Sequence, residues 1–184
     1  MSIYLETERL IIREVQEQDA AGMFELDADP EVQRYVGQKP ISTIAQARET
    51  IDFIRQQYVD PGICRWAVIE KATNAFIGWT GFKLIKESIN GHTDYYDFGY
   101  RFIQRKWGQG FAFEASRAAL DYGVQQLSFQ DIYATTDVDN TGSRRLLEKL
   151  GFRFVELFRY DGAPTWREPG QETTWYELDA ASIA

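Results

Sequence analysis

In the stretch Tyr96-Asp97-Phe98-Gly99-Tyr100-Arg101-Phe102 every second residue is a large aromatic. A repeat of two fits an extended strand, with one face aromatic and the other carrying Asp97, Gly99 and Arg101. A few residues on, Phe111, Ala115, Ala118, Ala119 and Tyr122 recur at helical spacing. The turn between them, Arg105-Lys106-Trp107-Gly108-Gln109-Gly110, is short and holds two glycines. A strand that passes through so short a turn into an amphipathic helix requires a sheet with helices packed on it.

The rest of the chain supplies more of both. Tyr4 to Val15 reads as one strand around Leu10-Ile11-Ile12, and Asp19 to Leu26 as a short helix. Asp29-Pro30 is a helix start, with Asp29 as N-cap and Pro30 at the first helical position. Thr43-x-x-Gln46 is a capping box, followed by an apolar stripe of Ile44, Ala47, Ile51, Ile54 and Tyr58. Asp60-Pro61-Gly62 ends that helix. Trp66 and Val68, then Phe76 to Ile85, read as two strands joined at Lys71-Ala72-Thr73-Asn74. After the polar loop Lys86 to Asp94 and the aromatic strand come a strand at Asp131 to Thr136 and a helix at Asn140 to Leu150. That helix is buried through Leu146, Leu147 and Leu150, with Gly151 as a left-handed C′ residue. Phe152 to Tyr160 and Thr173 to Leu178 close the chain as strands. The order β-α-α-β-β-β-α-β-α-β-β predicts an α/β (α+β) fold, a mixed sheet flanked by helices.

With 184 residues, of which 44% are hydrophobic, the chain can bury one sizeable core and is expected to form a single domain, 1–184. No apolar run approaches the ~18–20 residues that span a bilayer. The amino terminus lacks the basic patch and apolar stretch of a signal peptide, and the lone Cys64 suits a reducing compartment. The expectation is therefore cytoplasmic, with no membrane association. A net charge of −8 repels phosphate backbones, so direct nucleic-acid binding is not expected. It would favour a cationic amine, although solubility alone accounts for it. One histidine and one cysteine cannot build an N/S zinc site, so no metal is expected. His92 is expected to face solvent, and the five tryptophans to form core and pocket wall.

The glycines at 108 and 110 let main-chain N–H groups turn toward an anion, and the helix beginning near Phe111 adds unpaired N–H groups and a dipole. Such a site suits a pyrophosphate. A Walker loop would need Lys-Ser/Thr after Gly110, where Phe111-Ala112 stands, and a dinucleotide fingerprint would need glycine at Phe113. Both fail. From these residues alone, a tight turn that binds nothing remains the alternative.

Arg105 to Gly110 as R-x-x-G-x-G, with Asn140-Thr141-Gly142-Ser143 leading to Glu148-Lys149-Leu150-Gly151-Phe152, resembles the GNAT acetyltransferases. Glu6-Thr7-Glu8-Arg9-Leu10-Ile11-Ile12-Arg13, Asp97-Phe98-Gly99-Tyr100 and Glu114-Ala115 are similar to the RimJ/RimL type, which includes ribosomal-protein N-terminal acetyltransferases. The resemblance loosens after about Arg159. It implies a single domain with a splayed, mostly antiparallel sheet and acetyl-CoA as co-substrate. Tyr96 to Ile103 and Asp131 to Thr136 would be the two parted strands. Main-chain groups near Phe102 and Ile103 would pair with the pantetheine arm. The loop of Arg105, Trp107, Gly108, Gln109, Gly110, Phe111 and Ala112 would hold the pyrophosphate, and Asn140 and Ser143 would reach the arm from the other side.

The implied reaction moves an acetyl group to a primary amine, either a protein N-terminus (ribosomal or other) or a small molecule. It needs a base for the ammonium and a proton for the departing thiolate. Asp97 is the candidate base, with a structural carboxylate bonded to Arg101 as the alternative. Ser143 is the candidate acid. The tyrosine that the wider superfamily often carries seven residues after the asparagine is Leu147 here. A catalytically silent acyl-CoA-binding sensor or partner module is the competing reading, and a monomer and a homodimer fit equally.

Overall fold

The computed structural model describes residues 4–37, 39–160, 172–180 and 183. The chain runs β1 (Tyr4–Glu6), β2 (Leu10–Glu14), α1 (Ala20–Ala28), α2 (Pro30–Gln33), α3 (Ile44–Val59), β3 (Arg65–Glu70) and β4 (Ala75–Ile85). It continues with β5 (Tyr95–Phe102), α4 (Phe111–Gln125), β6 (Ile132–Asp137), α5 (Thr141–Leu150), β7 (Phe152–Arg159) and β8 (Glu172–Leu178). The strands form one eight-stranded sheet in the order β1-β2-β3-β4-β5-β6-β8-β7. Every neighbouring pair is antiparallel except β5 and β6, which are parallel.

The helices start and stop where their caps dictate. Asp29 accepts from Glu31 N at 2.8 Å, Thr43 and Gln46 close a reciprocal capping box, and Gly151 ends α5 with φ 101°. The first segment departs from its expected single strand. The Thr7 hydroxyl accepts from Leu10 N at 3.1 Å while Thr7 N donates to Leu10 O at 3.0 Å. That side-chain-closed turn folds Tyr4–Glu6 back on Leu10–Glu14 as a hairpin.

The period of two in the strands distributes the core over both faces. On β3, Trp66 and Val68 join Phe82, Phe98, Phe102, Phe111, Ala115 and Leu147 beneath α4 and α5. Ala67 and Ile69 face the other way, onto Met23 and Leu26 of α1 and Ile51 and Ile54 of α3. Phe82 is fully buried, and its truncation to alanine would cost about 3–5 kcal/mol. A third cluster, Tyr95, Tyr133, Phe158, Tyr160 and Trp175, packs between β5, β6 and the last strands. His92, expected in solvent, instead stacks on Trp175 with centroids 5.1 Å apart and lies 4.6 Å from the Tyr133 ring. The bridge between Ile89 and His92 folds the loop so that the imidazole lies against this cluster.

Candidate active site

The parallel pair is where the sheet opens. β5 and β6 pair through Tyr96↔Ile132 and Asp97↔Tyr133, and beyond those residues they run on without pairing each other. From Phe98 to Phe102 about 16 Å of strand edge faces a seam, at ~3.3 Å per residue. Main-chain groups alternate between the two edges of a strand. Tyr96 N donates toward β6, to Asp131 O at 2.9 Å, whereas Ile103 N donates toward β4, to Ile77 O at 3.0 Å. The amides facing the seam are therefore those of Tyr100 and Phe102. Ile103 is corrected accordingly: its N–H is spent on β4 and its carbonyl accepts from Lys106 N at 2.9 Å.

The glycine loop stands at the mouth of this seam. Gly108 and Gly110 both take left-handed backbone angles, φ 72° and 82°, which glycine adopts most readily. Gly110 is the N-cap of α4 and supplies no side-chain cap, so the first-turn N–H groups of α4 are left open. Around them a cavity of about 260 Å³ is lined by Phe102, Trp107, Gly108, Gly110, Ala112 and Phe113 from one side. Arg145, Leu146 and Lys149 of α5 line it from the other. Trp107 fixes its indole by donating to Phe102 O at 2.7 Å.

Side chains from the amino-terminal hairpin brace the loop from behind. Arg9 donates to Gln109 O at 3.0 Å and to Glu114 at 2.6 Å, and Thr7 donates to the same carboxylate at 2.5 Å. Burial alone would raise the Glu114 carboxyl, but the bonds from Thr7 and Arg9 outweigh it and hold it below the usual carboxylate range. The guanidinium also covers the Phe111 ring at 4.3 Å. The Thr7, Arg9 and Glu114 of the family-like motifs thus form one latch.

Arg105 turns away from the glycine loop. Its guanidinium turns to Glu25 on α1, at 2.6 and 3.0 Å, and does not line the cavity. Besides Lys106, whose ammonium is spent on Glu70 at 2.8 Å, the cations lining the cavity are Arg145 and Lys149, which sequence reading missed. Both are exposed, and neither has an acidic partner among the described residues. Their spacing of four on one helix face was the available signal.

Across the seam, Asn140 caps α5, its Oδ1 accepting from Ser143 N at 3.0 Å. Ser143 in turn meets Tyr100 from β5: the phenol lies 2.9 Å from Ser143 O and 3.1 Å from Ser143 Oγ. Tyr100, read from sequence only as one of the aromatic face, was the second residue missed.

On the opposite face of β5, Asp97 is paired with Arg65 of β3, not with Arg101. The cross-strand row explains this. Arg65, Gly81 and Gly99 are register neighbours on β3, β4 and β5. A Cβ at Gly99 would stand 3.0 Å from Arg65 Nη2, so the bare glycine lets the guanidinium pass. Arg65 also donates to Gly81 O and Asp97 O, each at 2.5 Å. Arg101 bonds the buried Asp27 of α1 at 2.7 Å, and the Trp79 ring lies within 5.5 Å of both guanidinium carbons. Asp97 Oδ2 is thereby occupied, and Oδ1 takes no bond among the described residues. Cys64 is 2% exposed and burial pushes its thiol up, which disfavours an acyl-cysteine route. Among the described residues no group of His, Cys, Asp and Glu is placed to hold a metal ion. None of their helices is long and apolar enough to cross a membrane. Gly162 to Gly170, by its sequence an acceptor-side loop or merely a long hairpin turn, lies outside the described residues.

A sheet parted at one parallel pair, with an uncapped helix and glycine loop at its mouth, leaves a slot that suits a long ligand with an anionic end. The family model for the acetyltransferase (GNAT) domain matches residues 9–153, and the chain belongs to that family. The uncharacterized N-acetyltransferase p20 of Bacillus licheniformis is 35% identical over 155 residues, covering 84% of this chain and 85% of its own. A GNAT-family acetyltransferase from Bacillus anthracis shares the fold with a TM-score of 0.80 at 23% identity, covering 97% of this chain and 99% of that one. So does RimL, a ribosomal L7/L12 α-N-protein acetyltransferase solved in complex with coenzyme A, with a TM-score of 0.78 at 15% identity. That match covers 97% of this chain and 99% of the other.

Proposed function

We propose that this chain moves the acetyl group of acetyl-CoA to a primary amine by direct attack within a ternary complex. The observation that carries the reading is the seam between β5 and β6, with open amides along it and the uncapped start of α4 at its mouth. A long thioester bearing a diphosphate fits such a shape. Main-chain amides of Gly108, Gln109, Gly110, Phe111 and Ala112 would hold the diphosphate, and Arg145 and Lys149 would supply charge in a chain whose net charge is −8. The Tyr100 and Phe102 amides would pair with the arm and polarise the thioester carbonyl. Asn140 would meet the arm through its carboxamide nitrogen, its oxygen being spent on the cap.

In the reaction the amine lone pair forms a bond to the carbonyl carbon, the C–S bond breaks, and the amine proton passes to Asp97, directly or through a water. Asp97 Oδ1 is the acceptor that Arg65 leaves open. Protonation of the sulfur falls to the hydroxyls that Ser143 and its neighbour bring to the seam. Holding both reactants in one complex supplies much of the acceleration. A protein N-terminus is one acceptor supported by the likeness to RimL, and a small-molecule amine is the other. The reading needs a compartment supplied with acetyl-CoA, and the cytoplasm is the one we propose. The test is release of free CoA from acetyl-CoA with a panel of N-terminal peptides, polyamines and amino sugars. Amine-dependent release supports transfer, whereas binding without release under every amine supports a silent acyl-CoA sensor.

A further inference from the structure

Protonation of the departing thiolate can be assigned by counting protons. The Tyr100 phenol has one hydrogen and lies 2.9 Å from Ser143 O, a carbonyl that can only accept. Tyr100 therefore donates to that carbonyl. The 3.1 Å contact between Tyr100 Oη and Ser143 Oγ must then be a bond donated by the serine. Ser143 has no second hydroxyl proton, so its proton is committed to the phenol oxygen.

The phenol's proton is the easier one to release. Ser143 O lies in the first turn of α5, where the helix pattern directs the Leu147 N–H to the same carbonyl. Removing the phenol leaves that carbonyl bonded. Leu147 itself is apolar and 2% exposed. Tyr100 stands three residues past Asp97, the last residue of β5 that pairs with β6, and from there its phenol reaches Ser143 of α5. It is half-buried, its ring packed against the core.

We propose that Tyr100 is the proton donor to the departing sulfur, and that Ser143 is a positioning residue that supports it. The inference rests on the acetyl-CoA reading above. As the C–S bond breaks, the phenol O–H bond breaks toward sulfur, forming the thiol. The phenolate left behind keeps the hydrogen bond from Ser143 Oγ, and returns to phenol by taking a proton from solvent. Burial pushes the Tyr100 phenol up, and the Ser143 bond works against that push, as the proposed support requires. A raised phenol is a weaker acid, so the Ser143 bond to the phenolate is what this transfer to sulfur depends on.

The test uses CoA itself and needs no acceptor amine. The thiol of enzyme-bound CoA is titrated by thiolate ultraviolet absorbance, with desulfo-CoA complex as the blank. A phenol donating to sulfur should lower the bound thiol's pKa by about one to two units, the worth of a hydrogen bond to a charged group. Tyr100→Phe should abolish that shift and Ser143→Ala should only shrink it, each with a native-like melt and measured at saturating CoA. A shift that survives Tyr100→Phe and vanishes in Ser143→Ala would return the role to the serine. Loss of the native melt in Tyr100→Phe is met by site-specific fluorotyrosine at position 100. That more acidic donor should deepen the shift, and an unchanged shift overturns the proposal. A wild-type protein that binds CoA without any shift also overturns it, leaving the acetyltransferase reading intact. A wild-type protein that binds no CoA overturns both.

Discussion

On one face of β5 the loop at Gly108 to Ala112 keeps its main-chain donors open, while on the other Asp97 and Asp27 are already matched to Arg65 and Arg101. The first region is prepared by backbone geometry and braced from behind by Arg9, Thr7 and Glu114. The second stores its charges in pairs, with the Trp79 ring close to both guanidinium groups. The difference teaches how each ligand would be received. An anion meets donors that need no rearrangement, whereas a cationic amine must share Asp97 with a resident arginine.

The largest expected effect lies on the paired side. Asp97→Asn should lower kcat by about 10²–10⁴, most at low pH where the amine is protonated, with acetyl-CoA affinity nearly unchanged. Steady-state rates across pH, with calorimetry for the cofactor, check both halves. Equal loss of cofactor affinity would erase the division between the two faces.

On the open side, Gly108 tests charge without steric confusion, because a Cβ there meets nothing within 4 Å. Gly108→Asp should weaken acetyl-CoA binding by at least about tenfold, ~1.4 kcal/mol, through repulsion of the diphosphate. Gly108→Asn, which tolerates the left-handed backbone, should bind within a fewfold of wild type. If both variants bind alike, the loop does not hold an anion.

How much of this was legible divides along the same line. The loop could be read from sequence because its glycines, its helix start and the aromatic alternation of β5 are local patterns. The caps at Asp29, Thr43 and Gly151 were readable for the same reason. The Asp97 partner was not, since Arg65 is 32 residues away and reaches it through a register of three strands. Arg101, the sequence-near choice, is drawn instead to Asp27, a helix residue 74 positions away. Arg105 looked like a phosphate ligand by proximity to the glycines, yet the 3-10 turn at Gln104–Lys106 aims it at Glu25. Tyr100 was hidden because a core aromatic and a phenol reaching a helix carry the same pattern until the opposing element is known.

The latch behind the loop predicts a smaller, pH-dependent effect. The Glu114 carboxyl lies lower in the folded chain than unfolded, so its stabilisation is complete above the unfolded carboxylate value and fades as pH falls through the folded one. Glu114→Gln should cost about 1–3 kcal/mol between pH 6 and 8, and the gap from wild type should begin to narrow below about pH 4 and close as pH falls through the lowered folded value. Denaturant melts at several pH values measure it; a gap that persists at low pH would mean that packing, not the charged bonds, holds the hairpin to the loop. Least of all should change in Arg105→Ala. Its pair with Glu25 is surface-exposed and contributes about 0–1 kcal/mol, and acetyl-CoA affinity should stay within about twofold.

The division of labour between the two faces is tested most directly by amide hydrogen exchange of the wild-type chain with and without saturating acetyl-CoA. Protection should rise at Tyr100, Phe102 and the Gly108 to Phe113 amides, and along the first turn of α5, while α1 and α3 remain unchanged. Exchange that stays the same from 100 to 113, or slows chiefly across α1 and α3, would contradict the assignment of the seam and loop to acetyl-CoA.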